Sequence, residues 1–211
     1  MFPVKSKNLN NNSFLHAVHL LEDQDHDLRF VISRYGVPPF WKRKPGFQAL
    51  LYIILEQQVS LASAKAAYDK LVKATRSLTP ESFLNLKDIE LKAIGFSRQK
   101  TQYGRNLAES ILQKSLDLSS LNYLDDAAVK KELMKVKGIG SWTADIYLLM
   151  AVGRPDIWPS GDLALRTAVQ RLKCMPHKPS AQELDDLNMK WRPWRAVAAR
   201  ILWHFYLSCC R

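Results

Sequence analysis

Residues 135–144 read Lys-Val-Lys-Gly-Ile-Gly-Ser-Trp-Thr-Ala, and Trp158-Pro-Ser-Gly-Asp162 follows after a short interval. The first stretch has a Gly-x-Gly turn between two segments of helical spacing. Without Cβ atoms, the backbone of Gly138, Ile139 and Gly140 can approach a ligand closely. The next helix begins there with unpaired N–H groups and the positive end of its dipole, which suits a phosphate. Taken alone, the pattern fits an ordinary αα-hairpin equally well. Asp125 or Asp126 can cap a helix ending near Val136, and Ser141 can cap the next one, to about Val152. The spacing therefore predicts a helix-hairpin-helix over about 125–152. Its second helix spans roughly 16 Å, and the turn-rich residues 153–159 can return the chain to bring Asp162 towards the hairpin. Asp162 directly precedes Leu163-Ala-Leu-Arg166, so it can serve as a helix N-cap. That role is compatible with a chemical one, since a helix N-terminus favours a negative carboxylate and an anion stabilises a developing cation.

Outward from this stretch the chain keeps helical spacing, with joints marked by Gly, Pro and capping residues and no strand alternation. The expected class is all-α. Ser13 opens an amphipathic segment to about Glu22 after a frayed polar start at residues 8–12. Asp25 opens another to about Tyr35, and Pro38-Pro39 and Pro45-Gly46 punctuate the chain. An apolar stripe from Phe47 runs through Gln58, with the next helix over 62–73. Thr79-Pro80-Glu81 has Pro at the first helical position, and Ser180 to Glu183 has capping-box spacing. The 211 residues carry 31 Lys and Arg against 20 Asp and Glu, a net charge of +11, which favours a polyanionic partner, nucleic acid foremost. The basic residues cluster at 42–44, 98–105, 130–137 and 192–200. Three cysteines, Cys174, Cys209 and Cys210, are an odd number, two of them adjacent, which suits a reducing compartment. No Cys and His spacing fits zinc, and the usual iron–sulfur cluster needs a fourth cysteine, so no metal site is expected. No apolar run suggests a signal peptide or membrane span.

Leu133 to Ala144, Asp162, Trp191-Arg-Pro-Trp194-Arg195 and Ile201-Leu-Trp203 together resemble the helix-hairpin-helix DNA glycosylases of the AlkA type, the 3-methyladenine DNA glycosylase II group. Phe47 to Ala67, with Glu56-Gln-Gln-Val-Ser60, and Ile94-Gly-Phe-Ser-Arg98 resemble the family's first helices and strand-invading loop. The resemblance covers about residues 40–205. It implies a two-lobed helical fold with the active site in the cleft between lobes, made of a leader at 1–38 packing on the C-terminal lobe and a glycosylase core at 39–211. It also implies a monomer acting on double-stranded DNA with damaged bases, in a bacterial cytoplasm and nucleoid or in a nucleus, with no membrane partner.

The implied reaction is base flipping and cleavage of the N-glycosidic bond, leaving an abasic site. Asp162 falls on the family's catalytic aspartate. Lys137, Gly138, Ile139, Gly140, Ser141 and Thr143 form the implied DNA-binding hairpin, without a cofactor except a monovalent cation on hairpin carbonyls when DNA is bound. Where bifunctional relatives carry a Schiff-base lysine, two residues after the second hairpin glycine, this chain has Trp142, which implies a monofunctional enzyme. Trp142 and Trp203 match aromatic positions of the base pocket, suited to cationic alkylated purines, while Trp158, Trp191 and Trp194 read as core. Three departures concern substrate range: no N-terminal β-rich domain, Gly161 before Asp162, and Ile146 and His204 at pocket positions that are aromatic in the best-known member. His204 reads equally as a pocket residue or a satisfied polar group. For the wedge that fills the emptied stack, Phe96 and Arg98 are candidates, as is the turn at Ser60 to Ser63, and Arg98 also reads as a phosphate contact. Two alternatives stay open: a bifunctional glycosylase/lyase for oxidised bases, and a non-catalytic hairpin module that only holds DNA.

Overall fold

The computed structural model describes residues 8–209, so Cys210 lies outside the described residues. Within them the regular structure is helical throughout, with no strand. No helix among them is long and apolar enough to cross a membrane. The chain forms two compact units, one holding residues up to Lys42 and from Gly153 onward, the other Arg43–Val152.

The discontinuous unit is built on its last helix. Helices α1 (Asn11–Gln24) and α2 (His26–Tyr35) pack on each other and on α12 (Arg195–Cys209), which also packs on α10 (Leu163–Leu172). Small residues make this possible. Ala196, Ala198 and Ala199 are fully buried beside Val197, Ile201 and Leu202, which lets neighbouring helices approach the α12 backbone. Asn10, within the stretch expected to fray, is the N-cap of α1 in a capping box with Ser13, so Ser13 is the third helical residue rather than the opening one. The reason is chemical. Asn is as good a cap as Ser, and the reciprocal bonds satisfy two donors at once.

Asp25 caps α2, accepting from Asp27 and Leu28 N–H, and reaches across to accept from the buried Trp191 indole at 2.8 Å and to pair with Lys190 at 2.6 Å. Burial opposes ionisation of this carboxyl, but the Lys190 and Trp191 hydrogen bonds outweigh it and hold its pKa below the ordinary aspartate value.

The second unit runs Arg43–Val152 around α3 (Phe47–Glu56), with Leu50, Leu51, Ile53, Ile54 and Leu55 buried. Helix α3 packs on α4 (Leu61–Thr75), α7 (Arg98–Leu112) and α9 (Ser141–Tyr147). The short α5 (Pro80–Leu84), capped by Thr79 as its spacing predicts, lies on α7 because Gly104 leaves room. A Cβ there would sit 2.6 Å from the Phe83 ring. Helix α6 (Asp88–Ile94) precedes α7, α8 (Asp126–Met134) precedes the hairpin, and α11 (Ala181–Asn188) belongs to the discontinuous unit. After α9 the helix widens into a π turn over Leu148–Val152.

The Asp25 cluster carries a pH dependence. A depressed folded pKa means its contribution is complete above the ordinary value of 3.8 and is lost as pH falls through the folded pKa. Asp25→Asn, which keeps the cap and loses the charge, is expected to cost about 1 to 2 kcal/mol at pH 7. Denaturant titrations of both proteins at several pH values are expected to show the gap closing below pH 4; a constant gap would contradict the assignment.

Candidate active site

In the discontinuous unit the carboxylate of Asp162 occupies the N-cap of α10. A tight turn sets its direction, with the Asp162 N–H donating to Pro159 O at 3.0 Å. Its Oδ1 accepts from Leu165 N–H at 2.9 Å and from the Trp203 indole N–H of α12 at 3.1 Å. Two helices therefore converge on one oxygen. Asp162 and Trp203 are each 8% exposed, yet the residues flanking the carboxylate, Gly161 and Leu163, are exposed. The site is thus a nearly buried acid beside open surface, its carboxylate fixed by two N–H donors.

The neighbouring candidate His204 is turned elsewhere. Its Nε2 lies 2.9 Å from the carbonyl of Tyr35 at the end of α2, and its ring stands 6.5 Å from that of Trp41. Of its two readings, this geometry is the satisfied polar group. Trp158 and Trp191 pack at 5.4 Å in the interior, and Trp194 is half-buried.

In the second unit the hairpin joins α8 to α9. Asp125 caps α8 through Ala128 N–H at 2.8 Å. At the turn, Ile139 N–H donates to Val136 O, and Gly138 has φ of 109°, in the region that only glycine adopts without strain. Tyr103 of α7 lies directly on Gly138, so that any Cβ there would meet its ring at 2.3 Å. Gly140 differs. It is the N-cap of α9 with φ of −95°, and a Cβ would meet nothing within 4 Å. Ser141, expected as the cap, is instead the first helical residue, because Gly140 already has the extended geometry of a cap; the Ser141 hydroxyl donates to Asp145 Oδ2 at 3.3 Å. Asp145 is buried and pairs with Lys130 of α8 at 2.8 Å, which clamps the two helices of the hairpin together.

Gln57, at the end of α3, ties the hairpin from the other side. Its amide nitrogen donates to Gly138 O at 3.0 Å and to Thr143 Oγ1 at 2.9 Å. Gln57, Gln58, Lys100 and Tyr103 line, with the hairpin backbone, an open cavity of about 330 Å³. The Lys100 ammonium donates to Leu55 O at 2.6 Å, and burial lowers its pKa. Lys137 and Gly140 are exposed, Ile139 and Thr143 buried, Trp142 half-buried and Ile146 buried.

One wedge candidate is corrected by the structure. Phe96 is 3% exposed and packs on Phe83 with ring centroids 5.7 Å apart. Gly95 ends α6 in a left-handed conformation, and both Gly95 and Phe96 N–H groups return to Leu91 O, which folds the residue after the glycine back onto the core. Arg98 is exposed at the start of α7. The Ser60 hydroxyl is occupied in capping α4 through Ser63 N–H. What projects from that turn is Gln58, Val59 and Leu61; Val59 and Leu61 are nearly half exposed, and Gln58 has φ of 56°.

The sequence profile of the HhH-GPD superfamily base excision DNA repair proteins matches residues 51–193, from within α3 through the hairpin and Asp162 to just before α12. The chain belongs to this superfamily. Among individual proteins it is similar to the DNA-3-methyladenine glycosylase 1 of Schizosaccharomyces pombe, 23% identical, with 88% of this chain and 84% of the relative aligned. Among solved structures, a DNA-3-methyladenine glycosidase from Bacillus halodurans superposes with a TM-score of 0.72 at 27% identity over 92% of this chain and 90% of that one. The 3-methyladenine DNA glycosylase of S. pombe, solved with abasic DNA, superposes with a TM-score of 0.84 at 22% identity over 93% and 98%. The superfamily's helical fold is therefore present across nearly the whole chain.

Gly138 and Gly140 are separable by substitution. Gly138→Ala is expected to lower stability by about 1 to 3 kcal/mol, since Tyr103 must shift and φ is strained. Gly140→Ala is expected to cost no more than about 0.5 to 1 kcal/mol, as a poorer N-cap, while weakening duplex DNA binding about tenfold, because its new methyl group stands in open space where a ligand backbone would approach. Equal effects of the two on melting would refute the distinction. At the acid, Trp203→Phe keeps the ring and removes the donor; single-turnover base release is expected to fall about 5- to 20-fold at saturating enzyme with little change in half-saturation.

Proposed function

We propose that this chain is a monofunctional DNA glycosylase that flips alkylated purines of the 3-methyladenine and 7-methylguanine type out of double-stranded DNA and hydrolyses their N-glycosidic bond. The observation that carries the reading is the Asp162 carboxylate, aimed by Leu165 and Trp203 and nearly buried at a helix start, in a chain of a base excision repair superfamily. Breaking the bond sends its electron pair away with the base and leaves positive charge on the sugar. A fixed carboxylate stabilises that charge without reorganising, and water then adds at the sugar carbon and gives up its proton to solvent. N-alkylation makes the purine a cationic leaving group, so no strong acid is needed at the base. The names of relatives in Schizosaccharomyces pombe and Bacillus subtilis, 3-methyladenine glycosylases, support the same substrate class.

The hairpin supplies the grip. Exposed backbone at Gly140 and the side chain of Lys137 hold phosphates of either sequence, with Arg98 as a further contact. The exposed Gln58–Ser60 turn, with Val59 projecting, is the element that enters the stack. Trp142 and Ile146 carry over as pocket residues. The enzyme acts as a monomer. An implied monovalent cation would lie on hairpin carbonyls; those of Lys137 and Gly138 already accept from Asn106 and Gln57 amides, so these two fit it poorly. No step is routed through it. Trp142, at the position where a lyase carries its amine, favours hydrolysis over a Schiff base.

Mass spectrometry of bases released from methylated duplex DNA is expected to find 3-methyladenine and 7-methylguanine, with no adduct trapped by borohydride. Release of 8-oxoguanine with a trapped lysine adduct would favour the bifunctional reading, and binding without release would favour a module that only holds DNA.

A further inference from the structure

We propose that Gln57 is a positioning residue that locks the projecting Gln58–Ser60 turn to the phosphate-gripping hairpin, so that the two act on DNA as one rigid element. The inference rests on the glycosylase reading above. Both protons of the Gln57 amide are used, one on Gly138 O and one on Thr143 Oγ1, and these acceptors sit at the turn of the hairpin and in the first turn of α9. The very next residue, Gln58, has φ of 56°, a left-handed conformation that a non-glycine residue holds only when its surroundings impose it.

Two features impose it. Before the turn, the end of α3 is pinned by the Lys100 ammonium, which donates to Leu55 O, and by the Gln57 side chain; after it, the chain is pinned by Ser60, whose hydroxyl caps α4 through Ser63 N–H. With both ends held, the backbone between has one way to turn, and Gln58 and Val59 are presented outward. Thr143 is buried and Gln57 half-buried, so water replaces these bonds poorly when the amide is removed. An insertion into stacked bases pushes back on the residue that enters. A turn anchored to the element that holds the backbone transmits that load to the phosphate contacts, whereas a free turn yields.

The test uses Gln57→Met, which fills the space without donors, and Thr143→Val, which removes one acceptor at constant shape. Each is measured for melting temperature, for half-saturating binding to duplex DNA with an abasic analogue, for fluorescence of 2-aminopurine opposite that analogue at saturation, and for single-turnover base release. Gln57→Met is expected to raise half-saturation about tenfold and to lower the fluorescence plateau below about half. Thr143→Val is expected to act in the same direction by about threefold, and the double variant to be no worse than Gln57→Met alone. For Gln57→Met, release of a methylated base already unstacked in a bulge is expected to stay within about threefold of the unaltered protein, a split that a general loss of structure would not give.

Unchanged binding and plateau in Gln57→Met, or an equal loss on bulged and paired substrates, would overturn the proposal. If Gln57→Met does not fold, half-saturation and the fluorescence plateau of Thr143→Val decide it. An unaltered protein that releases no base would instead overturn the glycosylase reading, and the binding and fluorescence measurements would still decide the role of Gln57.

Discussion

One oxygen of Asp162 accepts hydrogen bonds from two helices, the backbone of α10 and the indole of Trp203 on α12. This convergence makes a capping residue into a placed charge. A cap alone needs only the backbone bond and leaves its side chain free to shift. The second donor comes from a residue distant in sequence, fixes the carboxylate in orientation, and is itself held because α12 is the helix on which α1, α2 and α10 pack. The alanines that let those helices close on α12 therefore bear on the placement of that charge, through Trp203.

The hairpin obeys a different constraint. Its conformation depends on Gly138, where a positive φ and the face of Tyr103 leave no room for a side chain, while Gly140 needs neither and keeps a backbone surface open. The first glycine serves folding, and the second leaves open the backbone that the proposed grip on DNA would use. The Lys130–Asp145 pair holds the two hairpin helices and Gln57 holds the turn, so a loop of small residues is rigid without any large core of its own.

Local chemistry was legible in the sequence. The caps at Asp25, Asp125, Thr79, Asp162 and Ser180 follow from side chains that bond N–H groups two or three residues on, a rule that needs no tertiary information. The helical class and the hairpin were readable from spacing and turn residues, and Asp162 as a cap, whereas its chemical role was implied only by the family resemblance. Phe96 misled because its exposure is decided by the turn before it, where Gly95 folds the chain back onto α6. Gln57 went without a role because its partners lie 81 and 86 residues away, and a glutamine after an apolar run signals only a helix end. Asp145 and Lys130 share that obscurity: their pairing depends on the angle between α8 and α9, which spacing does not fix. The family resemblance implied Trp203 as a pocket residue, but its bond to Asp162 could not be read from the sequence.

The central claim is that the charge of Asp162, beyond its capping bond, drives base release. Asparagine caps helices as well as aspartate does, so Asp162→Asn separates the two roles. Single-turnover release of 3-methyladenine from saturated enzyme, measured beside the melting temperature, is expected to fall at least about 100-fold with melting nearly unchanged. Release near that of the unaltered protein would reduce Asp162 to a cap and contradict the account.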